Sequence, residues 1–371
     1  MGTMANAALV LLLKTLCKRH CQRRYRFSST ALPGEASRQK LVQFIPSVQS
    51  DCTSWSISAV LGFLIVLLAS VFFCFQNVIV RVLFNEHTIL GIFPTGGFVT
   101  PTLQNSFLLM FMRMLLVVPL MAFLAPKLYP PTWKDIGQLW NLEQRPLLLQ
   151  SIGCGFLMFL YLALLYISIG LIPTGIAMTL FFTYPVFTAL FSWRLFGSRP
   201  TLFRWSVMGL VLLGSSLTMP HSQTTMDSQS WIGFITGIAS GIVYALYTVI
   251  AQKSFETLHP VPFTWISFAI ALVFSAASLL IWNVHDAQLA WTPLWIGGLL
   301  SAIVTFAGHL MNNFGIRLIG ATSASMIGAS NPALTVILAW LTIQETLKGL
   351  QLVGVVIVTL SVALLSREHR S

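Results

Sequence analysis

The sequence predicts an all-α, polytopic membrane protein with ten transmembrane helices in two inverted five-helix repeats. Three observations predict it. First, the 371 residues are 56% hydrophobic and only 8% charged, with a mean hydropathy of +0.81. Soluble domains carry about 25% charged residues, so this chain lacks the polar material to cover a globule. Second, ten apolar stretches each approach the ~20 residues that a bilayer requires. Third, two of these stretches centre on a proline, Pro185 in Thr174 to Phe196 and Pro332 in Ala321 to Ile343. The prolines lie 147 residues apart, and at that offset Ile169, Leu171, Ile172, Ala177, Thr188 and Trp193 match Ile316, Leu318, Ile319, Ala324, Thr335 and Trp340. Matches around a shared central proline mark an internal repeat.

Residues 1–55 form a separate, basic cytosolic tail expected to be disordered. Leu9 to Leu13 is apolar but too short to span, and KTLCKRHCQRRYR follows it. That order is the reverse of a signal peptide, which puts charge first. Cys17, His20 and Cys21 are too few ligands for a metal site, and the five cysteines imply no disulfide framework. A polybasic tail also suits anionic lipid.

The spans are expected near 57–83, 105–125, 147–168, 174–196, 204–219, 231–252, 262–283, 292–313, 321–343 and 347–365. The first repeat occupies 56–220 and the second 230–366, with 367–371 a short cytosolic C-terminus. With both termini inside, 18 of the 21 Lys and Arg residues fall on the cytosolic side. Arg81 and Lys348 fall outside, and Arg113 lies within span two. The positive-inside rule therefore favours N-in and C-in. Because each half has an odd number of spans, the halves are inverted, as in secondary carriers. One insertion, FNEHTILGIFPTGGFVTPTLQ at 84–104, breaks the symmetry. Its Gly and Pro content predicts a turn-rich loop, passive or a lid over the outer mouth.

No enzyme constellation is present. The ten acids lie in tails, loops or span ends, with no HExxH, Walker A or GxSxG pattern. No catalytic residue, cofactor, metal or nucleic-acid partner is expected; the partners are a small-molecule substrate and the bilayer, with a homodimer left open.

Polar residues inside spans are costly and so informative. Ser301, Thr305, His309 and Asn312 recur on one helical face of span eight, with Asn313 beside them. Such a face lines a cavity or packs on another polar face. A lone histidine is more often structural, but His309 has two asparagines nearby. Span one carries Ser70, Cys74, Asn77 and Arg81, and span six carries Ser240, Tyr244 and Tyr247. Gly233, Gly237 and Gly241 form a small-residue ridge suited to close helix packing. Arg113 must snorkel, meet freed backbone carbonyls, or face water and an anionic substrate group.

A proline removes one N–H and clashes with the carbonyl four residues back, here Phe181 and Gly328. Such a carbonyl in a bilayer needs protein, a side chain or a water-filled cavity. Thr183 and Ser330 are the local candidates to satisfy the two breaks. Paired interrupted helices point to a carrier's binding site. Tyr184 and Asn331 stand one residue before each proline, and Tyr161 and Tyr166 of span three can reach the same layer.

The pattern resembles the drug/metabolite transporter superfamily, in its EamA-type branch. The motif is clearest in SASMIGASNPALTVILAWLTIQETLKGLQLVG, residues 323–354, with Pro332, Glu345 and Gly354 at the positions that carry it. The first half follows with Pro185 and Gly209, but Ser198 stands where a glutamate is usual. Arg113 resembles an arginine often seen in the family's second span. The resemblance covers roughly 57–366 and implies a carrier of amino acids, metabolites, sugar phosphates or drugs, with a cavity between the halves. The expected reading is a secondary transporter in a plasma membrane of bacterial inner-membrane type. It would export a small amino-acid-like or amphipathic solute by alternating access. Its expected cavity layer is Asn77, Arg113, Tyr161, Tyr184, Tyr244, His309, Asn313 and Asn331, with Pro185 and Pro332 as helix kinks. A sugar-phosphate-type exchanger and a non-transporting scaffold are the alternatives.

Overall fold

The computed structural model describes residues 35–172, 174–218, 230–281, 289–344 and 349–368, without the side chains of 35–57 and of a few helix ends. Residues 1–34 with Cys17, His20 and Cys21, and the motif glutamate Glu345, lie outside the described residues.

The described chain is helical apart from one short hairpin and the connecting loops. Its first helix, α1 (Glu35–Phe84), starts well before the expected first span. Residues 35–55, expected as part of a disordered tail, are continuous with that span. The helix runs through Pro46 without a break. The insertion folds as an antiparallel hairpin, β1 (Glu86–Ile89) on β2 (Phe93–Gly96), with Glu86 opposite Gly96 and Ile89 opposite Phe93. Its tip turns through two left-handed residues, Leu90 at φ 52° and Gly91 at φ 72°. The Leu90 N–H donates to the Thr342 carbonyl at 2.8 Å, so the hairpin is tied to the end of span nine and is not a free loop.

The remaining helices are α2 (Leu103–Leu128), α3 (Thr132–Gln138), α4 (Arg145–Leu171), α5 (Thr174–Phe181), α6 (Tyr184–Phe196) and α7 (Leu202–Thr218). They continue with α8 (Ser230–Ser254), α9 (Pro260–Ile281), α10 (Trp291–Gly328), α11 (Asn331–Ile343) and α12 (Gly349–Glu368). Seven stretches are long and apolar enough to cross a membrane, and three shorter apolar helices complete the set of ten. Span eight runs on past its expected end. It breaks at Gly320, whose φ of 79° and ψ of 159° only glycine adopts readily, and span nine starts there.

The two halves fold alike where the prolines are. Span four breaks between Phe181 and Tyr184, and span nine between Gly328 and Asn331. The connecting residues have matching dihedrals: Thr183 at φ −72°, ψ −9° and Ser330 at φ −72°, ψ −12°. Thr183 Oγ1 donates to the Leu180 carbonyl at 2.6 Å and Ser330 Oγ to the Ile327 carbonyl at 2.7 Å. These hydroxyls were expected at the carbonyls of Phe181 and Gly328; they reach one residue earlier, because each makes the tight three-residue return of a helix end. Both following half-helices close on a left-handed residue, Gly197 (φ 69°) and Gln344 (φ 54°). Every one of these pairs is 147 residues apart.

Packing follows the same inversion. Span one (α1) lies along span eight (α10), as span six (α8) lies along span three (α4). Span nine (α11) packs on span one, as span four (α6) packs on span six. The two-seven pair (α2, α9) and the five-ten pair (α7, α12) complete the bundle. The glycine ridge of α8 lets it approach the end of span three and the first part of span four closely. A Cβ on Gly233 would fall 2.6 Å from Ile172 Cγ2, one on Gly237 2.8 Å from Ser168 Oγ, and one on Gly241 2.8 Å from the Phe181 carbonyl oxygen. The carbonyl released by Pro185 therefore faces a helix surface with no side chain.

Candidate functional site

At the level of the two breaks, aromatic rings converge. Tyr244 of span six stands edge-on to Tyr161 at 4.9 Å and to Tyr184 at 4.7 Å between ring centroids. Phe181, the last residue before the first break, stacks on Tyr161 at 5.9 Å and packs on Tyr184 at 5.4 Å. The helix break puts Tyr184 there: it opens α6, so its side chain points across the bundle instead of along a continuous helix face. Its hydroxyl donates to the Ser325 carbonyl of the other repeat at 3.2 Å and sits against Gly328. Three of the expected site residues, Tyr161, Tyr184 and Tyr244, are thus in one cluster.

Arg113 lies beside this cluster, toward the hairpin end. It is 7% exposed, and its Nε has no hydrogen-bond partner among the described residues. It lines a small cavity of ≈ 30 Å³ with Ser106, Tyr166 and Ser301 as the other polar residues. The guanidinium acts electrostatically on both Tyr161 and His309. Glu143 is the acid found within a described span, but it sits in the first turn of span three. It is 23 residues from Tyr166 on the same span, roughly 34 Å at helical rise. The Arg113 side chain thus lines this cavity. Tyr166, expected in the tyrosine layer, is instead up beside Arg113, edge-on to Phe107 at 6.1 Å.

The asparagines are divided between two clamps. Asn77 Nδ2 donates to Asn331 Oδ1 at 3.0 Å and to Thr335 Oγ1 at 3.2 Å, joining span one to span nine. The Thr335 hydroxyl donates to Asn331 Oδ1 at 3.1 Å. Asn313 is fully buried elsewhere. Its Nδ2 donates to Thr264 Oγ1 at 2.8 Å and its Oδ1 accepts from the Tyr247 hydroxyl at 3.3 Å. With both ends of its amide engaged it joins spans six, seven and eight, and it adjoins the aromatic layer through Tyr247, which stacks on Tyr244 at 5.9 Å.

His309 sits edge-on between Phe73, at 4.9 Å, and Phe268, at 5.6 Å. The polar stripe of span eight that leads to it meets Gln76 of span one. Gln76 Nε2 donates to Ser301 Oγ at 2.9 Å, and its Oε1 accepts from the Thr305 hydroxyl. The stripe is therefore largely a polar seam between helices, with Ser301 also reaching the cavity. Gln76, Thr264 and Thr335 escaped sequence reasoning. Gln76 adjoins Asn77, so two consecutive amides in one apolar span were the available signal.

A family model, EamA-like transporter family, matches residues 231–367. The chain is 59% identical over 311 residues to an uncharacterized transporter, sll1319, of Synechocystis, a match covering 84% of this chain and 94% of that protein. It is 27% identical over 213 residues to the threonine/homoserine exporter RhtA of Salmonella typhimurium, covering 57% of this chain and 68% of the exporter. A solved crystal structure superposes with a TM-score of 0.63 at 15% identity, covering 82% of this chain and 97% of that one.

Proposed function

Because the chain belongs to the EamA-type branch of the drug/metabolite transporter superfamily, we propose that it exports a small amino-acid-like solute by alternating access. Transport of a small solute is the family's activity; the solute, its direction and the site are our reading. The observation that carries it is Arg113, a buried guanidinium with an unpartnered Nε on a cavity beside three tyrosines. A buried charge needs compensation, and a substrate carboxylate supplies it with charge-assisted hydrogen bonds. The adjoining rings of Tyr161, Tyr184, Tyr244 and Phe181 offer an apolar surface with phenol edges for the rest of an amphipathic molecule. His309 is a ring-packed neighbour of this layer, and the Asn77–Asn331 clamp supports it from the span-nine side. Asn313 holds Tyr247, which stacks on Tyr244 behind it.

Similarity to a threonine/homoserine exporter supports an amino-acid-like solute and outward transport. The transporter relatives support a plasma membrane of bacterial inner-membrane type, and the charge distribution supports both termini inside and the hairpin outside. The test is efflux from proteoliposomes loaded with labelled threonine, homoserine and other amino acids, each beside its carboxamide. We expect flux of at least one acid, tenfold or more above its amide, and loss of that preference in Arg113→Gln. Equal transport of acid and amide would remove Arg113 from recognition. Flux of a sugar phosphate and of no amino acid would favour the exchanger instead.

A further inference from the structure

The end of the bundle opposite the hairpin carries a second cluster. Tyr129, which caps α2, stacks face to face on His259 at 3.9 Å and 9°. Tyr129 comes from the first repeat and His259 from the second, immediately before α9. Asp135 of α3 hydrogen-bonds the Tyr129 side chain. Phe314 of α10 packs edge-on against the other side of His259 at 5.5 Å, and Arg317, one turn on, acts electrostatically on both rings. Trp133 of α3 packs on Trp265 of α9 at 5.1 Å just beside them. Among the described residues, spans two, seven and eight thus meet through side chains at this end, whereas the Arg113 cavity lies toward the other.

The imidazole is held in one protonation state by its contacts. Its Nδ1 accepts the Val261 N–H at 3.3 Å, which satisfies a free donor of the first turn of α9. A neutral imidazole accepts with one nitrogen only; a protonated one accepts with neither. Burial, and then the Arg317 cation, hold the His259 pKa below its usual value, while Asp135 pulls the other way. The charged and titratable groups facing it are therefore Tyr129 from α2, Asp135 from α3 and Arg317 from α10, with Phe314 completing the wall.

We propose that this cluster is the gate of the tail-side end, a latch of Tyr129, His259, Asp135 and Arg317 that protonation of His259 releases. A proton added at Nδ1 breaks the bond from Val261 N–H and places a second cation beside Arg317. The hinge that would let the gate move is three residues on. Gly320 breaks α10, and Gln252 Oε1 of α8 accepts the Ala321 N–H at 2.6 Å to cap the new helix. The sign follows from linkage. The closed gate lowers the affinity of His259 for a proton and solvent exposure restores it, so acid favours the open form as pH falls through about 6.5. The latch rests on alternating access as proposed above, but not on the identity of the solute.

The test needs no substrate. In full-length protein in nanodiscs, with native cysteines replaced, Ile316→Cys reports the gate and Leu109→Cys the Arg113 cavity; Ile316 is 1% exposed and Leu109 lines that cavity. Lowering pH from about 7.5 to about 5.5 spans the ordinary histidine range. It should raise labelling of Ile316→Cys by a polar thiol reagent severalfold and reduce labelling of Leu109→Cys. His259→Gln should remove the pH response, with an unchanged size-exclusion profile and thermal unfolding midpoint showing that the protein is folded. Tyr129→Phe keeps the stack but loses the bond to Asp135, and should raise Ile316→Cys labelling at pH 7.5. Labelling independent of pH in the parent, a His259→Gln protein that responds as the parent does, or a Tyr129→Phe protein no faster than the parent each overturns the latch. Labelling at the two positions that rises together would instead count against alternating access.

Discussion

Gly241→Ala tests whether the first helix break is held open by packing from span six. The added Cβ would lie 2.8 Å from the Phe181 carbonyl oxygen and 3.3 Å from Thr183 Oγ1. Ordinary contact begins near 3.4 Å, so about 0.6 Å must be found by moving backbone, since neither a rotamer nor a flexible side-chain end can yield it. Overpacking of this kind costs about 1–3 kcal/mol. The displaced residue is Phe181, whose ring touches Tyr161, Tyr184 and Tyr244. Stability and transport should therefore fall together, although Gly241 is not a candidate ligand. Two companion substitutions calibrate the effect. Gly237→Ala meets Ser168 Oγ at 2.8 Å and Leu180 Cδ1 and Cβ at 3.0 and 3.1 Å; the hydroxyl can swing away at the loss of its 2.8 Å bond to the Gly233 carbonyl, about 0.5–1.5 kcal/mol, and Leu180 need give only a few tenths of an ångström. Gly153→Ala meets nothing within 4 Å and should stabilise its helix by roughly 0.5–1 kcal/mol. Reversible unfolding in bicelles should rank Gly153→Ala highest, then the parent, Gly237→Ala and Gly241→Ala. A Gly241→Ala protein as stable and active as Gly153→Ala would refute the reasoning.

Asn77→Ala and Asn331→Ala should be coupled in a double-mutant cycle by about 0.6 kcal/mol, the typical size for a hydrogen bond between membrane helices; strictly additive losses would show that the clamp carries no energy. His309→Ala should leave any flux driven by an imposed pH gradient intact, because ring edges surround the imidazole. Loss of that drive with flux otherwise retained would make His309 the proton carrier.

The sequence made the repeat legible because proline leaves a mark that an apolar alphabet does not blur. Charge placement carries the expected orientation, since Lys and Arg cluster at one set of span ends. The hairpin was hidden because Glu86 to Gly96 is short and its register depends on contacts with Val82, Leu83 and Thr342, which no local pattern encodes. The end of span eight was misplaced for a related reason. Residues 314–319, FGIRLI, continue an apolar helix, and the break falls on a single glycine that could equally have been tolerated within it. In the site, residue type located Arg113 and the tyrosines, because an unpaired charge and large polar rings in a span are conspicuous. It could not distinguish Asn331 from Asn313. Both are amides at similar depth, and only the partners Asn77 and Thr335 against Tyr247 and Thr264 separate them. The Tyr129–His259 stack joins residues 130 positions apart in two loops, where neither hydropathy nor periodicity carries a signal.

The two breaks show how an inverted pair can share a backbone and still build an asymmetric site. Proline and a hydroxyl residue two positions before it set the same turn twice, with the same return bond and the same left-handed close of the following half-helix. That scaffold brings position 184 and position 331 to the middle of the bundle in equivalent orientations. What they do there depends on reach. The tyrosine is long enough to leave its own half and donate to the Ser325 carbonyl of the other, so the first break is tied across the route between the halves. The asparagine is short and engages Asn77 of span one, also in the other repeat, and Thr335 of its own helix, so the second break is tied to span one. Both breaks are thus tethered across the repeats, the first by a phenol bond to the opposite break-bearing span and the second by an amide bond to a flanking helix.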